Sequence, residues 1–106
     1  MATGRLGVAD LSAGADTSVY TCPASTFSVV SVSVCNRAGT SVDVRIAVAA
    51  SGTPADSEYI EYDSEILANG VLERTGIVMD AGKVLIVRAS AGSVSAVVMG
   101  IETTTA

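Results

Sequence analysis

At 106 residues the chain has room for one hydrophobic core and not for two. Its net charge of −5 and its six scattered basic residues argue against a nucleic-acid backbone as partner, which calls for clustered Lys and Arg. Histidine is absent, which removes the usual base near neutral pH and the commonest metal ligand.

Hydrophobic residues make up 49% of the chain but aromatics only 4%, so the core must be built from Val, Ile, Leu and Ala. Val suits a pleated, half-buried surface because its branched side chain is already restricted at χ1. No apolar run approaches the ~20 residues that span a bilayer. Met1-Ala2-Thr3-Gly4-Arg5 lacks the pattern of a secretory signal, so a cytosolic site of synthesis is expected, with no membrane partner. In that compartment Cys22 and Cys35 are expected as free thiols, one of them buried as a small hydrophobe, with a disulfide between them the alternative if their strands face each other.

Residues 4–11 carry Leu6 and Val8 between polar positions and predict a first, edge strand. Residues 12–16 read as a polar turn. Thr17–Cys22 predicts a second short strand, ended by Pro23, which has no amide hydrogen for a ladder. Phe27–Asn36 is the clearest strand, with Val30, Val32 and Val34 on one side and Ser31, Ser33 and Cys35 on the other. That alternation fits an antiparallel sheet with one face on the core and one near water. Arg37-Ala38-Gly39-Thr40 reads as a turn into Ser41–Ala50, where Val42, Val44, Ile46 and Val48 point inward and Asp43 and Arg45 outward. The two segments together predict a β-hairpin.

Residues 51–57 form the longest stretch without periodicity and read as a surface loop. Over Glu58–Ile66 helical and strand readings compete, and Asn69-Gly70 downstream favours a strand or extended arm. Three more strands follow at Val71–Met79, with a break at Gly76, at Lys83–Ala89 and at Ser93–Ile101. The clusters Asp80-Ala81-Gly82 and Ser90-Ala91-Gly92 separate them as tight turns, and Gly82 can take the left-handed conformation of a three-residue hairpin with a bulge. The ends, Met1–Thr3 and the polar tail from Glu102, read as short and flexible. About eight short strands at regular spacing predict an all-β fold, an antiparallel β-sandwich of jelly-roll or immunoglobulin-like type in a single domain over 1–106.

No constellation points to chemistry, and no catalytic, cofactor or metal residue is assigned. Glu58, Glu61, Asp63 and Glu65 could ligate calcium or supply a carboxylate pair. They lack the fixed order of a calcium loop and read as a solvated edge that discourages strand pairing. A serine nucleophile would need Lys83, the one lysine, which sits at a turn. The glycines form no phosphate-cradling motif. Tyr59 and Tyr62 could stack on a sugar, or pack on a loop or partner.

Gly4-Arg5-Leu6-Gly7-Val8-Ala9-Asp10-Leu11, Tyr20-Thr21-Cys22-Pro23-Ala24, Val34-Cys35-Asn36-Arg37 and Glu58-Tyr59-Ile60-Glu61-Tyr62-Asp63 carry a resemblance. Its strongest part is Asn69-Gly70-Val71-Leu72-Glu73-Arg74-Thr75-Gly76-Ile77-Val78-Met79-Asp80-Ala81-Gly82-Lys83. In these segments the chain resembles small β-sandwich structural proteins of tailed bacteriophages, particularly marine and cyanobacterial ones. The resemblance implies a virion protein assembled in the host bacterial cytoplasm, a capsid decoration or cement subunit on the outer head surface. Its partners would be the major capsid protein or other virion proteins, in a homo-oligomer or many symmetry-related copies. A neck, tail or fibre component, including a carbohydrate-binding receptor module, is the alternative it allows. It brings no catalytic or cofactor residues.

Overall fold

The computed structural model describes residues 2–105 and forms a β-sandwich of two four-stranded antiparallel sheets. In chain order the strands are β1 (Thr3–Leu11), β2 (Thr17–Thr21), β3 (Thr26–Asn36), β4 (Val42–Ala49), β5 (Tyr59–Ile66), β6 (Val71–Met79), β7 (Val84–Ala89) and β8 (Val94–Thr104). A single 3₁₀ turn, Asp56–Glu58, precedes β5. One sheet has the order β1-β8-β3-β6 and the other β2-β7-β4-β5.

The pairing is nested. β1 pairs with β8, β2 with β7, β3 with β6 and β4 with β5, as though one long hairpin had been rolled up. The added contacts β3–β8 and β4–β7 close the roll into two sheets. This is jelly-roll order, and it excludes the immunoglobulin-like alternative. The apex of the roll is the segment between β4 and β5, the stretch without periodicity in the sequence.

Two expectations need correcting here. β3 and β4 do not form a hairpin: they lie in opposite sheets, and their valine rows face each other across the core. The Asp80–Lys83 turn likewise carries the chain from one sheet to the other rather than joining hairpin partners. Gly82 does take a left-handed φ of +82°, but the amides there bond to the end of β2: Gly82 N–H donates to the Cys22 carbonyl at 2.9 Å, and Cys22 N–H to the Lys83 carbonyl at 2.9 Å.

Val30, Val32, Val34, Val42, Val44 and Ile46 are buried between the sheets with Leu85, Val87, Val94 and Val98, and Val48 packs at the margin. Fully burying each such side chain stabilises the fold by roughly 1.5–3 kcal/mol relative to exposure. Leu6 and Gly7 mark a bulge in β1. A Cβ on Gly7 would stand 2.2 Å from the Val19 carbonyl oxygen, so this glycine lets β1 of one sheet lie hard against β2 of the other. Gly76 does not break β6; it sits in a bulge opposite Ser31 while the strand continues.

The chain ends are not frayed over the residues described. Glu102 N–H donates to the Ala2 carbonyl and Thr105 N–H to the Ser25 carbonyl, both at 2.9 Å, and β8 runs on to Thr104. Met1 and Ala106, which the flexible-end expectation also covered, lie outside the described residues.

Buried Asn36 pins the end of β3. Its Nδ2 donates to the Thr40, Ile66 and Leu67 carbonyls at 2.8–3.2 Å, and its Oδ1 accepts from Ala38 N–H at 3.0 Å. One side chain thus ties the β3–β4 connection to the end of β5.

Candidate functional site

The acidic residues picked out in the sequence do not converge, because each is committed to a different neighbour. Glu58 accepts the Ala50 and Ala55 amides and holds the apex segment in shape. Glu61 points toward the core side of its edge strand and takes Arg74 from the other sheet at 2.8 Å. Asp63 receives Arg45. Glu65 is exposed opposite Asp43. Among the described residues no group of three His, Cys, Asp or Glu side chains is placed to hold a metal ion. Lys83 is bound to Asp80 at 3.0 Å, and both cysteines are free thiols, Cys22 buried and Cys35 half-buried.

The outer face of the β2-β7-β4-β5 sheet divides into two halves. The first is apolar and covered: Ala47, Ala49, Val84 and Ile86 form a small second core, with Tyr59 packed against it. The apex segment crosses this half, since the Cβ position of Gly52 lies 3.8 Å from Ser18 Oγ on β2. The second half is polar. A shallow pocket of about 330 Å³ is lined there by Gly14, Asp43, Arg45, Asp63, Arg88 and Ser90.

In that pocket Arg45 Nε and a terminal nitrogen donate to the two oxygens of Asp63 at 2.7 and 3.3 Å. The guanidinium also lies over the Tyr62 ring, 4.1 Å from its centroid, and Tyr59 meets Tyr62 edge-on at 5.0 Å. The bond from Arg45 holds the Asp63 carboxyl below its ordinary range, and the same bond raises the Arg45 guanidinium. A bulge places Tyr62 and Asp63 together opposite Arg45, with Asp63 at φ +53°, a conformation Asp tolerates better than most residues. Arg88 stands directly across from Arg45 on β7 and has no hydrogen-bond or ion-pair partner for its guanidinium among the described residues. Sequence reasoning picked out Tyr62 and Asp63 but not Arg45 or Arg88 as their company. The bulge that assembles them leaves no mark in the residue pattern.

The opposite surface, the outer face of β1-β8-β3-β6, is of another kind. Directly opposed residues of antiparallel strands share a face. One cross-strand row is Thr3, Ile101, Val29 and Val78, and the next but one is Val8, Val97, Ser33 and Glu73. Between them lie Arg5, Met99 and Ser31. Phe27 and Val71 extend the apolar area at its two ends. Seven of the nine large hydrophobics left exposed among the described residues sit here, with Val78 68% and Ile101 51% exposed. The sequence expectation of a wet, polar outer face holds for Ser31 and Ser33 but not for this sheet as a whole.

Charges on that face are few. Asp10 is paired with Arg37 at 2.6 Å, which leaves Arg5 on β1 and Glu73 on β6 without ionic partners among the described residues. No protein-family model matches the chain, and no curated protein matches its sequence.

Proposed function

We propose that the protein is a structural subunit of a tailed-bacteriophage virion, a decoration or cement protein that binds the outer surface of the head. Its partners are then the major capsid protein or other virion proteins. The observation that carries this reading is the apolar outer face of the β1-β8-β3-β6 sheet. Exposed, contiguous apolar surface on a small domain marks a place where another protein sits. The resemblance to small phage β-sandwich proteins supports the same reading. So does the division of the molecule into one face rich in exposed apolar side chains and one carrying Asp43, Arg45, Asp63, Glu65 and Arg88. A subunit whose first face is covered by another virion protein, a second copy included, presents the second outward. No chemical step belongs to this role.

Copy number tests it. Quantitative mass spectrometry of purified virions should give hundreds of copies per particle, located on the head. A dozen or fewer copies at the portal vertex or tail would replace decoration with a neck or tail role. Absence from the particle would end the virion reading.

A second reading rests on Tyr62, which is 59% exposed and stacked on Arg45, itself a lining residue of the polar pocket. An exposed ring next to a pocket with such polar groups is suited to a sugar, the polar groups bonding hydroxyls. This would make the domain a carbohydrate-binding module of a tail or fibre. Binding on a glycan array that disappears in Tyr62→Ala would support it, and an array with no binding would remove it.

A further inference from the structure

We propose that the apolar face of the β1-β8-β3-β6 sheet is where two copies of this chain meet, related by a twofold axis running parallel to the strands between β8 and β3. This rests on the reading of the protein as an assembly subunit and names the partner that covers the face. Three features select a second copy.

The first is charge. The face carries one unpaired cation, Arg5 on edge strand β1, and one unpaired anion, Glu73 on the opposite edge strand β6. A twofold axis along the strands lays β1 of one copy over β6 of the other. Arg5 is in the row of Met99, and Glu73 is in the adjacent row on the same face, that of Val97. The offset is two residues along a strand, about 7 Å, which the two long side chains span. Symmetry makes the pair twice. An in-plane axis across the strands would instead set β1 over β1 and bring Arg5 against its own copy. The charges therefore choose between the two ways of stacking this face on itself.

The second is apolar complementarity. The same axis places Ile101 of β8 over Val29 of β3 in the partner copy, since both belong to one row. The apolar contact is centred on that row, with Met99 of the next row over Ser31 of the partner, in the aligned stacking of twisted sheets.

The third is extent. Four strands about 4.8 Å apart and some eight residues of each strand give roughly 500 Å² per copy, or about 1,000 Å² for the pair. That reaches the lower limit for a specific interface and fits a weak to moderate dimer. The net charge of −5 per chain does not oppose it strongly. Asp43, Asp63 and Glu65 lie on the other sheet's outer face, well beyond the ~8 Å screening length at physiological salt.

Sedimentation equilibrium of the full chain between 1 and 300 μM should show a species of twice the 10.6 kDa chain mass. Val29→Asp and Ile101→Asp, at positions already exposed, should give monomers that melt cooperatively like the wild type. Arg5→Glu or Glu73→Arg alone should weaken the dimer roughly tenfold, because each creates two like-charged contacts. The double reversal should restore it to within about threefold. A monomer at every concentration would overturn the proposal, as would an oligomer indifferent to these four variants or a double reversal that fails to recover. Probing virions separates this from the functional reading. A solution monomer whose face is nonetheless shielded on particles sinks the dimer and leaves docking intact. A dimer that never enters particles sinks docking and leaves the dimer intact.

Discussion

Arg74 of β6 reaches across the open edge of the sandwich to Glu61 of β5, 2.8 Å away, and so links the last strand of one sheet to the last strand of the other. Glu61 is the less exposed partner and also accepts the Ser64 hydroxyl. The opposite edge is closed differently, by the backbone contact that Gly7 permits between β1 and β2.

A double-mutant cycle with Arg74→Met and Glu61→Gln should give a coupling of about 0.5–1 kcal/mol, at the upper end for surface pairs because Glu61 is sheltered. Urea unfolding at low and high salt measures it. A coupling near zero would mean the edge is held by packing alone.

Asn36→Ala should lower stability by roughly 2–3 kcal/mol, since it leaves the buried carbonyl of Ile66, the carbonyl of Leu67 and the Ala38 amide without their partner. Asn36→Asp keeps the shape and the acceptor but loses the donor, and it should be nearly as costly. Chemical denaturation decides. A loss below about 0.5 kcal/mol for both would show that water replaces the side chain.

Tyr20 should make the fold sensitive to alkali. Burial raises its phenol above the ordinary value of 10.0, and donation to Glu102 Oε2 at 2.7 Å raises it further. The unfolded chain therefore releases this proton first. The stabilisation is fully present below about pH 10 and is lost as the pH climbs toward the raised folded value. Tyr20→Phe should flatten the stability profile between pH 9 and 11. An unchanged slope would place the alkaline sensitivity elsewhere.

The two thiols should differ in the native state. Cys22 is 1% exposed, with its Sγ directed at the Thr26 and Met79 carbonyls, whereas Cys35 is half-buried on the outer face. A thiol reagent should modify Cys35 much faster than Cys22, and both after unfolding without reductant. Equal native rates would contradict the burial of Cys22.

Strand positions were legible because period-two alternation survives in β3 and β4, where Val30, Val32, Val44 and Ile46 all point inward as read. Pairing was not legible. Alternation says which side of a strand is buried and nothing about its neighbour, so a valine row facing its mate across the core reads the same as one beside it in a hairpin. A signal for the apolar outer face was present, in Val29-Val30, Val97-Val98-Met99 and Ile77-Val78-Met79. Consecutive apolar residues of this kind mark strands covered on both sides. The pocket was less readable, because Arg45, Asp63 and Arg88 are separated in sequence and meet through a bulge and a register.

Nested pairing also orders events at the ribosome. β8 is the last strand in chain order, yet it lies inside its sheet between β1 and β3. Until it emerges, β1 has no hydrogen-bonded partner in its own sheet and the long strand β3 has only β6. At 5–20 residues per second, β1 waits roughly 5–20 s for its partner. During that interval the nascent chain holds the apolar residues of β3 on both sides, Val29 as well as Val30, without the strand that will lie beside them. Slow codons ahead of β8 would lengthen the wait and should lower the soluble fraction of newly made protein.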